Sequence, residues 1–173
     1  MRCASFPAAG ALASVRRTVT VPRPRRLLDR IAIGYSALGN RGLLWIACGV
    51  GAGLATRRYW AIPLIAALVW GTLGLNYAIK RVIRRERPRS RGGRAPLIRA
   101  PASPSFPSSH AAMAGAGALA LSAYVPVASP LFATLAVLMA ASRVHLAVHH
   151  VSDVVAGLAV GACTGAVFAL LVV

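Results

Sequence analysis

The residues able to do chemistry are Lys80, Arg87, His110, Arg143, His145, His149, His150 and Asp153, all at or near the borders of long apolar runs. Ionisable groups at membrane depth are expensive, so each is a functional candidate by default. Lys80, Arg87 and Arg143 can neutralise a phosphate and stabilise the charge spread over its equatorial oxygens during transfer. Arginine suits that work because its planar fork matches two phosphate oxygens at once. Ser108 and Ser109 add hydroxyls, and the backbone N–H groups of a helix starting there form an anion site.

His149 and Asp153 are four residues apart and would share one face of a helical turn. A carboxylate accepting the Nδ1 proton leaves Nε2 free and basic, which prepares imidazole as a nucleophile. His110, from another segment, can serve as general acid for the leaving oxygen. Plainer roles exist for each piece. Lys80, Arg81, Arg84 and Arg85 also fit the positive flank of a span, Ser108–Ser109 fits an N-cap, and His145 and His150 read as structural or interfacial. Three histidines and one aspartate could hold a metal, but zinc and di-iron sites want more thiolates or carboxylates.

The elements that must position these groups are apolar. Of 173 residues 57% are hydrophobic and only 13% charged, well below the charged share of globular domains. A soluble chain this short could not bury so much apolar surface. The predicted fold is an all-α, polytopic transmembrane bundle of about five spans plus an N-terminal interfacial helix. A bilayer core of about 30 Å needs about 20 apolar helical residues. Candidate spans are Gly42–Thr56, Tyr59–Ile79, two helices within Ala111–Ser142 split at Pro126 and Ser129–Pro130, and Val154–Val173. Residues 27–40 are too short and charged to span and suit an interfacial amphipathic helix. Residues 1–28 are expected to form a flexible basic arm and residues 29–173 the membrane-embedded domain. With helices alternating across the bilayer, Lys80–His110 and Arg143–Asp153 emerge on one face.

Net charge is +17, with only Asp29, Glu86 and Asp153 acidic. Such a balance points to anionic lipid or a phosphorylated substrate. Nucleic acid is disfavoured because the arginines flank apolar runs and do not alternate with exposed aromatics. Cys3, Cys48 and Cys163 show no metal-ligand spacing and read as small hydrophobes.

Lys80-(six residues)-Arg87-Pro88, Pro107-Ser108-Ser109-His110 and Ser142-Arg143-(five residues)-His149-(three residues)-Asp153 resemble the three-part signature of the type 2 phosphatidic acid phosphatase family. The order and spacings match over residues 42 to 173. The resemblance implies a metal-independent helical membrane phosphatase with no cofactor, working through a phosphohistidine. It implies His149 as nucleophile, Asp153 as its orienting partner and His110 as general acid. Lys80, Arg87, Ser108, Ser109 and Arg143 would hold the phosphate. Ser109 departs from the glycine common at its position.

The texts KRVIRRERP and HHVSDVVAG look like small bacterial members, which act on polyprenyl phosphates, pyrophosphates and polyprenyl-phosphoryl sugar phosphates. The expected substrate is thus a phosphorylated lipid, phosphatidic acid included, in a bacterial plasma membrane. The Arg- and Ala-rich composition suggests a high-GC bacterium. Two other readings compete. A vanadium haloperoxidase-like activity shares the oxyanion cradle, and a non-enzymatic basic membrane protein would only bind anionic lipid or a partner. The family commonly places its site on the outer face, whereas the positive-inside rule places Lys80–His110 in the cytoplasm.

Overall fold

A computed structural model describes residues 26–90 and 95–172, which are all-helical, with no strand among them. The N-terminal arm up to residue 25, with Cys3, lies outside the described residues, as do Arg91 and Arg94. The elements are α1 (Leu27–Leu38), α2 (Leu43–Ala55), α3 (Ala61–Ile83), α4 (Ser109–Tyr124), α5 (Ser129–His145) and α6 (Val151–Val172), with a 3₁₀ turn at Asn40–Gly42 and another at Pro126–Ala128. Three stretches are long and apolar enough to cross a membrane: Ala61–Ile83, Pro126–His145 and Val151–Val172. Leu131, Val137, Val155, Val167, Leu170 and Leu171 are exposed along α5 and α6, as expected for helices solvated by lipid.

Helix α4 is the axis of the bundle. Its run AAMAGAGALA is small and apolar all round, the pattern of a helix enclosed on every side, and Ala111 through Ala118 are buried. Gly157, Gly161 and Gly165 of α6 recur every fourth residue and face α4. A Cβ on Gly157 would come within 2.6 Å of the Ser108 carbonyl oxygen, and one on Gly165 within 2.7 Å of that of Ala116. Backbones that approach so closely tolerate only small residues at the seam. That seam brings the start of α4 against the start of α6, where the Ser108 N–H donates to the Asp153 carbonyl at 2.9 Å.

Helix α1 lies against α5 with an inverted amphipathic pattern. Asp29, Ala32 and Ser36 face inward, whereas Leu27, Leu28, Ile31 and Leu38 are exposed. The Tyr35 hydroxyl donates to the Leu135 carbonyl at 2.7 Å, and His145 Nε2 meets Asp29 Oδ1 at 2.9 Å. His145, which the sequence leaves without a partner, therefore clamps α1 to the end of α5. At the opposite end, the Tyr124 hydroxyl donates to the Arg58 carbonyl and its ring packs edge-on against Trp60.

Candidate active site

The two polar segments predicted to share a face do meet. The Leu97 N–H donates to the Leu146 carbonyl, and the Ser105 N–H to the Arg85 carbonyl at 2.7 Å. Lys80 ends the buried row Thr72, Asn76 and Lys80 on α3, and its Nζ donates to the Pro104 carbonyl at 2.8 Å. The amine thereby holds the loop that leads into α4.

Arg87 is the hinge pin of the site. Its Nε donates to the Ser103 carbonyl at 3.0 Å and Nη1 to the Val148 carbonyl at 2.9 Å. The same Nη1 lies 3.1 Å from His149 Nε2. Arginine has no acceptor, so Nε2 must supply the lone pair and the ring proton sits on Nδ1. Nδ1 faces Asp153 Oδ2 at 3.5 Å and the Ser105 hydroxyl at 3.4 Å. Ser105 in turn donates a short hydrogen bond to Asp153 Oδ2.

His149 and Asp153 do not share a helical turn as expected. Helix α6 begins at Val151, so His149 precedes it. Asp153, in the first turn, accepts the His150 N–H at 2.8 Å. The carboxylate is thus fixed by capping the helix, and the loop returns His149 onto it. His150 contributes its backbone to this cap.

Arg85 departs more sharply from its predicted role. Its guanidinium is no mere flank of a span, since Nη1 pairs with Asp153 Oδ1 at 2.9 Å and with the Ser152 hydroxyl at 2.7 Å. Ser105, buried completely, was equally invisible, because nothing distinguishes it from the other serines of a Ser/Pro-rich loop.

His110 sits inside the first turn of α4, where the predicted span begins one residue later. Its Nε2 lies 3.1 Å from Asn40 Oδ1. Arg143, 2% exposed near the end of α5, donates from Nη1 to the Ser36 hydroxyl of α1 through a short contact. Helix α1 and the turn after it therefore buttress two site residues, which no motif in that stretch signals. The Ser109 side chain donates to Asn76 Oδ1 at 2.8 Å, which leaves its backbone N–H for a ligand. The Ser108 hydroxyl and Arg143 Nε are buried with no hydrogen-bond partner among the described residues. Buried donors of this kind cost free energy unless something accepts from them.

The electrostatics favour an anion. Lys80 and Arg143 are buried and Arg87 is half-buried, yet Asp153 is the one carboxylate among them. Burial, followed by the neighbouring Arg87, Arg143 and Lys80 charges, lowers the His149 pKa to about 4, against a rise from its Asp153 hydrogen bond. The imidazole is therefore neutral at ordinary pH. No group of three or more His, Cys, Asp or Glu side chains is arranged to hold a metal among the described residues.

Comparison with known proteins identifies the family. The chain matches the model of the PAP2 superfamily over residues 3–173. It is 34% identical over 154 residues to a decaprenylphosphoryl-5-phosphoribose phosphatase of Mycobacterium tuberculosis, covering 87% of this chain and 83% of the relative. Identity to the enzyme of that name from Mycolicibacterium smegmatis is 37% over 155 residues, covering 85% of this chain and 75% of the relative. Its fold is similar to the crystal structure of a transmembrane PAP2-type phosphatidylglycerolphosphate phosphatase from Bacillus subtilis, with a TM-score of 0.68 and 27% identity over 83% of this chain and 76% of the other. The family match, the identity to these phosphatases and the shared fold lead to one conclusion: the chain belongs to the PAP2 superfamily and is an integral membrane lipid phosphatase.

Proposed function

We propose that this phosphatase removes the terminal phosphate from a polyprenyl-phosphoryl pentose phosphate through a phosphohistidine at His149. The observation that carries the mechanism is the His149 ring, with its lone pair on Nε2 and its proton directed at the Ser105–Asp153 pair. In the first step Nε2 attacks phosphorus, the bond to the sugar oxygen breaks, and His110 gives that oxygen a proton. Arg87 turns from Nε2 to the phosphate as the substrate enters. Arg143 Nε, the Ser108 hydroxyl and the free N–H groups at the start of α4 donate to the phosphoryl oxygens. Lys80 adds charge and holds the loop. In the second step water attacks the phosphohistidine, His110 takes its proton, and phosphate leaves. Asp153 stabilises the charge that develops on the ring.

Support for the substrate comes from the relatives' names and from a site at the membrane border, where an amphiphile presents its phosphate. The test is phosphate release from a polyprenyl-phosphoryl pentose phosphate, phosphatidic acid, phosphatidylglycerol phosphate and polyprenyl pyrophosphate, with and without chelator. The pentose phosphate lipid should have the highest kcat/KM, and chelator should not alter it. A chelator-sensitive activity would rule out this mechanism.

The pH dependence follows from the His149 environment. A nucleophile whose pKa is lowered to about 4 stays reactive well below the ordinary histidine range. The acidic limb of free-enzyme kcat/KM assigned to His149 should therefore fall near pH 4, because that profile reports groups of the free enzyme. A limb at pH 6.5 would contradict the buried, neutral ring.

The membrane arrangement we favour is five crossings by α2 to α6, with α1 along the interface at the site end of a bacterial plasma membrane. Helix α2, with 13 residues, is roughly 20 Å long at 1.5 Å per residue and would cross a locally thinned bilayer. Arg30, Arg81, Arg84, Arg89 and Arg99 are exposed at the site end, against Arg57 and Arg58 at the other. By the positive-inside rule the site then faces the cytoplasm. A cysteine introduced near residue 95 should react with an impermeant reagent only after the membrane is opened; labelling in intact cells would reverse the assignment.

A further inference from the structure

Beside the catalytic cradle lies a cleft of about 470 Å³ between the α1–α2 connection, α3 and α4. Ser109 and His110 form its polar end, and Leu43, Leu73, Tyr77 and Met113 its apolar wall. Leu43 and Tyr77 are also exposed on the outside of the bundle, so the cleft is continuous with the lipid-facing surface. A second depression near Arg87 is lined by Arg84, Arg85, Glu86 and the Pro101–Pro104 loop, and has no comparable apolar wall. The leaving group of a lipid substrate belongs in the first cleft, next to the proton donor His110.

Arg41 is the cation of that cleft. Its backbone is left-handed, at φ 54° and ψ 17°, and Gly42 follows at φ 76°. Arg57 and Arg84 also have positive φ, but they follow or cap helix C-termini, where this conformation is common. Arg41 instead lies within the connection between α1 and α2. It is locked there by Trp70, whose Nε1 donates to its carbonyl at 3.2 Å, and by Gly42, where a Cβ would collide with Val69. The residue before it, Asn40, meets His110 Nε2. A strained, fastened backbone that fixes an arginine next to a catalytic group is a functional signal.

Among the described residues the guanidinium pairs with no acid. Of the three acidic side chains in the whole sequence, Asp29 meets His145, Asp153 meets Arg85, and Glu86 lies near Arg89. We infer that Arg41 is a specificity-determining residue that binds a second anionic group of the substrate, the phosphodiester joining the sugar to the lipid chain. This rests on the substrate reading above, since a polyprenyl-phosphoryl pentose phosphate carries such a diester beyond its scissile phosphate and phosphatidic acid does not. The planar fork of arginine suits a diester with two free oxygens.

The experiment compares wild type, Arg41→Gln and Arg41→Lys as full-length protein in lipid vesicles. Phosphate release from the pentose phosphate lipid is measured alongside inhibition by inorganic phosphate, which occupies only the cradle around His149. Arg41→Gln should raise KM for the pentose phosphate lipid about tenfold, the scale of one charge-assisted hydrogen bond. The inhibition constant for inorganic phosphate should stay within twofold, and Arg41→Lys should recover at least a third of the lost kcat/KM. Parallel weakening of phosphate inhibition would make Arg41 part of the general scaffold and overturn the inference alone. So would an unchanged KM, or a lysine variant as impaired as the glutamine one. A wild-type enzyme that cleaves phosphatidic acid but not the pentose phosphate lipid would overturn the substrate reading and this inference together.

Discussion

Replacing His149 by alanine is expected to lower kcat by roughly 10⁴-fold or more, the scale seen when a covalent nucleophile is removed and only binding and electrostatics remain. The expected signature is more specific than lost activity. Wild type incubated with lipid radiolabelled in its terminal phosphate should yield an acid-labile, base-stable phosphoprotein, and the His149→Ala protein should yield none. The fold should survive. His149 is buried, but its ring meets the site groups Arg87, Ser105 and Asp153, while the glycines that seat α6 on α4 begin further along the chain, at Gly157. Retained thermal stability with lost labelling would assign the defect to chemistry. A labelled His149→Ala protein would move the nucleophile elsewhere.

Asp153→Asn is expected to cost about 10³ to 10⁴-fold in kcat, by the logic that governs an aspartate holding a catalytic imidazole in its working tautomer. Asparagine keeps a carbonyl oxygen to accept the His150 N–H, so the start of α6 should remain capped. It loses the charge that pairs with Arg85 and that stabilises an imidazolium. Its amide N–H₂ would also compete for the Ser105 hydroxyl, which now donates to Oδ2. The carboxylate is completely buried, so some stability should be lost with the ion pair, and activity must be compared at a temperature where both proteins are folded. A loss below tenfold would reduce Asp153 to a helix cap. Ser105→Ala, which breaks the bridge but leaves the charge, should fall between wild type and Asp153→Asn.

Much of this enzyme is legible in one dimension. Uninterrupted apolar runs can be solvated only by lipid or by each other, which sets the helical class. The helix lengths and their alternation bring Lys80–His110 and Arg143–Asp153 to one end. The residue types of Lys80, Arg87, Ser108, Ser109, His110, Arg143, His149 and Asp153 point to an anion, and their resemblance to the family signature is what implies a role for each.

Tertiary structure decided what holds those groups in place. Arg85 reads as one more charge in a basic flank until the chain turns back and sets it on Asp153. Ser105 is one serine in a polar loop until burial directs its hydroxyl between His149 and Asp153. Ser36 and Asn40 lie in a helix and turn with no motif, yet they meet Arg143 and His110 from 107 and 70 residues away. These contacts span long separations and use common residue types, so no local pattern marks them. Even the His149–Asp153 spacing, legible as a pair, was resolved by a helix that begins between the two residues: the imidazole comes from a loop and its carboxylate partner from a capped first turn.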